Sequence, residues 1–151
     1  MVKLDSPVLR EVGALARCIQ SISDIRFRDL NLQRGQFVFL TRICENPGIH
    51  FAELSQILKV DKATTTKAVQ KLMKEGYVER RRDEQDKRIW HLYPSEAALK
   101  NYPLIMAEEN QHIASCFNGF TKAEEELVCL LLARMRQNIE VDWLHLKCGK
   151  E

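Results

Sequence analysis

Marks of catalysis are missing from this 151-residue chain. It has no G-x-S-x-G, no phosphate-binding glycine loop and no H-E-x-x-H, and its four histidines (His50, His91, His112, His145) are dispersed, so an enzyme is not expected. The five cysteines (Cys18, Cys44, Cys116, Cys129, Cys148) are odd in number and form no C-x-x-C pair, which argues against a zinc or dithiol site and leaves buried or surface thiols. Glu108 and His112 lie four apart on one helical face, but a single such pair makes no metal site, and no cofactor is expected. No run of about 18 residues is apolar throughout. The opening MVKLDSPVLREVG lacks the basic stretch and apolar core of a signal peptide. The expectation is a cytoplasmic protein without membrane contact.

What the chain has is an ordinary globular composition, 45% apolar and 29% charged, on a length that fits about one domain with an appended helical part. Its net charge of +2 is unevenly spread. Residues 1–58 carry seven basic against six acidic side chains, residues 59–94 ten against six, and residues 95–151 six against nine. A basic excess confined to the centre is how a footprint for phosphates looks, although charge alone fits a solvated face equally well.

Periodicity predicts mostly helix. Ser6-Pro7 offers a start, and Val8, Val12, Leu15, Ile19 and Ile22 recur at steps of four and three towards Leu30. A second helix is predicted from Arg34 to Glu45, stopped by Asn46-Pro47-Gly48, and a third from Phe51 to Lys59. Asp61 is placed to cap a fourth, with Ala68, Val69, Leu72 and Met73 inward and Gly76 as its stop. Two short helices joined by a tight link make a helix-turn-helix. The outward face of the second reads Lys62, Thr64, Thr65, Thr66, Lys67, Gln70 and Lys71. Three successive threonines are poor helix formers, so propensity does not explain them. Hydroxyls reach phosphates or base edges, and glutamine can read adenine. The bland alternative is a solvent face with arbitrary threonines.

After Gly76, YVERRR and IWHLY read as two strands joined by DEQDK, a hairpin following a helix-turn-helix and hence a winged helix. Arg82, Lys87 and Arg88 fall near the base or tip of that wing, where a narrow A·T-rich minor groove attracts arginine. Asp86, two residues from Arg88, is spaced to brace the guanidinium in a bidentate pair. The expected partner is double-stranded DNA.

These residues resemble the MarR/SlyA family of winged-helix regulators of bacterial transcription, closest to the SlyA-like branch. The resemblance is carried by NLQRGQFVFL, by ICENPGIHFAELSQILKVDKATTTKAVQKLMKEGYVERR and by the D-x-R of Asp86 and Arg88, followed by an alternating strand and a Ser95-headed helix. It spans essentially the whole chain. It implies a homodimer on a pseudo-palindromic operator, with the Asp61–Glu75 helix in the major groove and Arg88, supported by Asp86, in the minor groove. Gln33 and Ala98 depart from the family's usual threonine and glycine and should affect local geometry more than function.

Beyond the wing, Ser95 is placed to cap a helix reaching about Asn118 and bent at Pro103. Thr121 and Glu124 form a capping box for a last helix. Val128, Leu132, Met135, Ile139, Trp143 and Leu146 step along it by four and three, a stripe longer than a small wing domain needs. The domain reading is therefore a dimerisation helix over 1–32, the winged helix over 33–94 and dimerisation helices over 95–151, with Val8, Val12, Leu15, Ile19, Val128, Leu132, Met135, Ile139 and Trp143 at the subunit contact.

Family members often respond to small aromatic acids or to thiol oxidation. A small aromatic or anionic effector is accordingly expected in a cleft lined by Ile22, Phe39, Ile43 and Phe117, with Arg17 or Arg26 meeting an anion. Cys18 raises a thiol-sensor reading, but its mid-helix place on an apolar row favours a buried structural thiol. The rival from another class is a winged helix that binds proteins, which should show apolar anchors where residues 62–71 are polar and basic.

Overall fold

The structure, a computed structural model, describes residues 1–148. It packs as two units divided between Asn110 and Gln111. In the first, α1 spans Val8–Arg26. Pro7 holds the cap position and the Ser6 hydroxyl accepts from the Val8 amide at 3.3 Å. The helix stops four residues short of the predicted Leu30, because Phe27 turns inward and is buried; a 3-10 turn over Arg28–Leu30 and a left-handed Asn31 follow. The Asp24 carboxylate accepts from the Gln20 amide nitrogen and from the Arg34 backbone N–H, both at 2.7 Å, tying the end of α1 to the next helix.

That helix, α2, spans Gln36–Glu45, entered through left-handed Arg34 and Gly35, which moves its start two residues past the prediction. It is the central element: Phe37, Phe39, Leu40, Thr41 and Ile43 are all buried. A short strand β1 (Ile49–His50) leads into α3 (Phe51–Leu58), and a left-handed Lys59 makes the turn into α4 (Lys62–Lys74). Asp61 caps α4 by accepting from the Thr64 amide at 2.6 Å, as its sequence position predicts. Gly76 then turns the chain at φ +80°, a conformation that costs a side-chain-bearing residue more.

The wing strands β2 (Val78–Arg82) and β3 (Trp90–Pro94) pair antiparallel, Val78 opposite Pro94 and Arg82 opposite Trp90. Where the sequence shows a two-stranded hairpin, the sheet has three strands in the order β1-β3-β2, with Ile49 opposite Leu92 and His50 opposite His91. Helix α5 spans Glu96–Cys116. Its first turn is fastened by Ser95, whose hydroxyl donates to the Gly76 carbonyl at 2.7 Å and accepts from the Ala98 amide at 3.2 Å. Phe27, Leu32, Leu40, Ile43, Leu54, Val69, Leu72, Leu92 and Ile105 close one core between these elements. Each such side chain contributes about 1.5–3 kcal/mol by leaving water. The result is a winged helix-turn-helix.

The second unit comprises the end of α5 and α6 (Lys122–Cys148). The predicted capping box is present: the Thr121 amide donates to Glu124 Oε2 at 2.8 Å and the Glu124 amide to Thr121 Oγ1 at 3.2 Å. At 27 residues α6 is about 40 Å long. Leu127, Leu130, Leu131, Leu132, Ile139 and Leu146 are all exposed on it.

Candidate nucleic-acid interface

The outward face of α4 is narrower than the sequence suggests. Lys62, Thr64, Lys67 and Gln70 are exposed, and Thr66 is half-buried with its hydroxyl donating to the Lys62 carbonyl. Thr65 corrects the reading. It is fully buried, its hydroxyl 2.6 Å from that of Ser55 on α3 and 3.1 Å from the Asp61 carbonyl oxygen, so it fastens the two helices together and presents nothing outward. One position in the threonine run is therefore structural.

In the wing, strand parity sorts the arginines. Arg80 and Arg82 share one face and stack on the same indole, their guanidinium carbons 4.2 and 4.8 Å from the Trp90 ring centre. Arg81, on the other face, lies 4.5 Å from the Tyr93 ring centre and 3.6 Å from Glu79. Stacking on an aromatic face holds a guanidinium while leaving its N–H edges available. Arg80, Arg81, Trp90 and Tyr93 were not singled out as site residues from sequence; the signal was there in the pairing of RRR with the alternating WHLY.

The tip between β2 and β3 is built around two aspartates. Asp83 accepts from the amides of Gln85 at 2.9 Å and Asp86 at 2.8 Å, and from the His91 ring at 2.9 Å. The Asp86 amide, then His91 and the Gln85 amide hold its carboxyl down at about 2. Asp86 accepts three bonds from Arg88: from Nε at 3.1 Å, from Nη2 at 3.1 Å and from the backbone N–H at 3.0 Å. This pair lowers the Asp86 pKa and raises that of Arg88. The predicted brace is present, and it leaves the Arg88 side chain 90% exposed. Lys87 folds back, its ammonium 3.2 Å from the Asp83 carbonyl oxygen.

Comparison with known proteins fits this geometry. A model of the MarR family matches residues 32–90. An uncharacterized HTH-type transcriptional regulator, YybA, of Bacillus subtilis (strain 168) is 44% identical over 144 residues, covering 95% of this chain and 96% of its own. The chain belongs to the MarR family. Among solved structures, a MarR protein from Peptoclostridium difficile DA00132 is 53% identical with a TM-score of 0.94, covering 97% of this chain and 95% of its own. A MarR family transcriptional regulator from Listeria monocytogenes, solved with a 26mer DNA, is 39% identical with a TM-score of 0.90, covering 99% and 97%. The protein is a MarR-family DNA-binding transcriptional regulator and not an enzyme.

Of the expected subunit contacts in this MarR-family chain, Val8, Val12 and Leu15 on α1 are exposed and Ile19 is half-buried; on α6, Leu132 and Ile139 are exposed and Val128, Met135 and Trp143 half-buried. Cys18 is exposed on α1 instead of buried, because the apolar row it shares with Leu15 and Ile22 is left exposed among the described residues. Cys44 on α2 is half-buried against the core, and this burial, then the nearby Glu45, pushes its thiol up to about 11. The side chain of Cys148 lies outside the described residues.

The effector lining needs correction. Phe39 and Ile43 are closed into the winged-helix core and face no open space. Arg17 and Ile22 are exposed on α1, Arg26 pairs with Glu108 at 3.3 Å, and Phe117 meets Phe120 edge-on in the second unit. An open groove of about 540 Å³ lies elsewhere, lined by Asn46, Gly48, Glu53, Gln56, Ile57 and Lys59. Among the described residues there is no cluster of three side chains able to hold a metal, and no helix is long and apolar enough to cross a membrane.

Proposed function

We propose that this MarR-family chain works as a homodimer in the cytoplasm, two copies seating their α4 helices in successive major grooves of a pseudo-palindromic duplex and their wings on the flanking minor grooves. The observation that carries the reading is Arg88. A fully hydrated arginine is ordinarily mobile, yet here two side-chain bonds to Asp86 hold it in one orientation at the tip of a protruding hairpin. Such an arrangement lowers the ordering cost of inserting a guanidinium into a narrow groove.

Lys62, Thr64, Lys67 and Gln70 supply the polar face that meets base edges and phosphates, and Arg80 and Arg82, steadied on Trp90, extend it along the backbone. Dimerisation is supported by the bare apolar rows of α1 and α6, which one chain leaves in water. A two-fold pair spaces equivalent α4 helices about 34 Å apart, one turn of duplex. A small aromatic or anionic effector that alters this spacing belongs to the same reading.

Minor-groove protection tests it. Arg88→Ala should lose protection on the flanks of the site while keeping the central major-groove footprint and the dimer. Unchanged flanking protection removes the minor-groove role.

A further inference from the structure

His91 is the second residue of β3, and both of its ring nitrogens face an acceptor. Nδ1 lies 2.7 Å from the Gly48 carbonyl oxygen, and Nε2 lies 2.9 Å from Asp83 Oδ2. A carbonyl and an ionised carboxylate can only accept, so a neutral imidazole, with one N–H, satisfies one of them and the imidazolium both. Protonation closes a continuous chain of bonds. It runs from the residue preceding β1 through His91 to Asp83, from Asp83 to the amides of Gln85 and Asp86, and from Asp86 to the guanidinium of Arg88.

We propose that His91 is the positioning residue of the wing: as an imidazolium it ties the tip loop to the β1 edge and so aims Arg88, making the hold on DNA depend on the protonation of this one histidine. The inference rests on the minor-groove role of Arg88.

The charges around His91 are unequal. Asp83 from the tip and Glu53 from α3 favour the cation. Arg81, its register partner on β2, opposes it, but that guanidinium is drawn over Tyr93 and towards Glu79. His50, opposite on β1, presents its ring edge-on at 6.3 Å, with Nε2 3.5 Å from Glu53. Asp83 first, then the Gly48 carbonyl, hold the His91 pKa above its ordinary 6.5. A raised folded-state pKa means that the clamp is complete below the ordinary value and is lost as pH rises through the raised one.

The test is fluorescence anisotropy of the full chain on a duplex from upstream of its own gene, between about pH 5.5 and 8.5, for wild type, His91→Gln, Arg88→Ala and the double variant. Wild-type affinity should fall by about tenfold across that window, and the fall should vanish in His91→Gln and in Arg88→Ala alike. A pH dependence that survives Arg88→Ala reflects general charge and overturns the positioning role; one that survives His91→Gln overturns the assignment to His91. Imidazole and amide NMR on the free protein separates the two readings. Gln85 and Asp86 amides that titrate together with His91 support the clamp even if wild type binds no duplex, in which case the DNA reading falls alone. Amides that ignore the His91 titration overturn the clamp.

Discussion

The hydroxyls of Ser55 and Thr65 lie 2.6 Å apart in the seam between α3 and α4, and both residues are buried. This contact ties α4 to α3. It uses one of the three threonines that the sequence displays as a uniform polar run. Replacing Thr65 with valine keeps the volume but leaves the Ser55 hydroxyl without that bond, so we expect a loss of about 1–3 kcal/mol in urea unfolding. Thr64→Val, at an exposed position, should leave unfolding within about 0.5 kcal/mol of wild type and weaken DNA binding instead. Equal destabilisation by the two variants contradicts the assignment.

Lys67 and Gln70 are expected to behave differently from each other. A lysine that meets a phosphate releases counterions, so Lys67→Ala should reduce the slope of log affinity against log salt by about one, uniformly across sequences. Gln70→Ala should change which duplexes are preferred and leave the salt slope alone. Titrations on two duplexes at several salt concentrations separate these effects.

Much of this architecture was legible because it is local. Asp61 caps the helix that begins at the next residue, Thr121 and Glu124 cap each other across three positions, and Asp86 and Arg88 are two apart, so each motif contains its own partner. What the sequence hid depends on distant pairing. β1 is two residues long and exists because Ile49 and His50 meet Leu92 and His91. The bond from His91 to Gly48 crosses 43 positions. Thr65 turns inward because Ser55 waits there, and Phe39 and Ile43, which look like pocket lining, close the core once α2 is surrounded. Lys59 adopts φ +55° without a glycine, which no local rule announces.

The apolar stripe on α6 makes a prediction about assembly. Leu132→Asp combined with Ile139→Asp places two charges on the bare face and should give a monomer by sedimentation equilibrium, with helical content largely retained. A double variant that remains dimeric moves the subunit contact elsewhere.

Thiol reactivity should divide by burial. With its thiol held up at about 11, Cys44 is almost entirely protonated at about pH 8 and should resist iodoacetamide until the protein unfolds. Mass spectrometry should show Cys44 unmodified in the native protein and alkylated over the same period once the protein is unfolded in urea. Rapid native labelling of Cys44 contradicts its raised pKa.

In the proposed assembly two winged helices grip one duplex. Fluorescence anisotropy with DNA from upstream of the chain's own gene, against a scrambled duplex and across a salt series, tests it most directly. Two winged helices on one duplex should give saturation at two chains per duplex, preference for the native sequence, and a log–log salt slope of several units from the lysines of α4 and the arginines of the wing. Weak binding without sequence preference, or saturation at one chain per duplex, contradicts it.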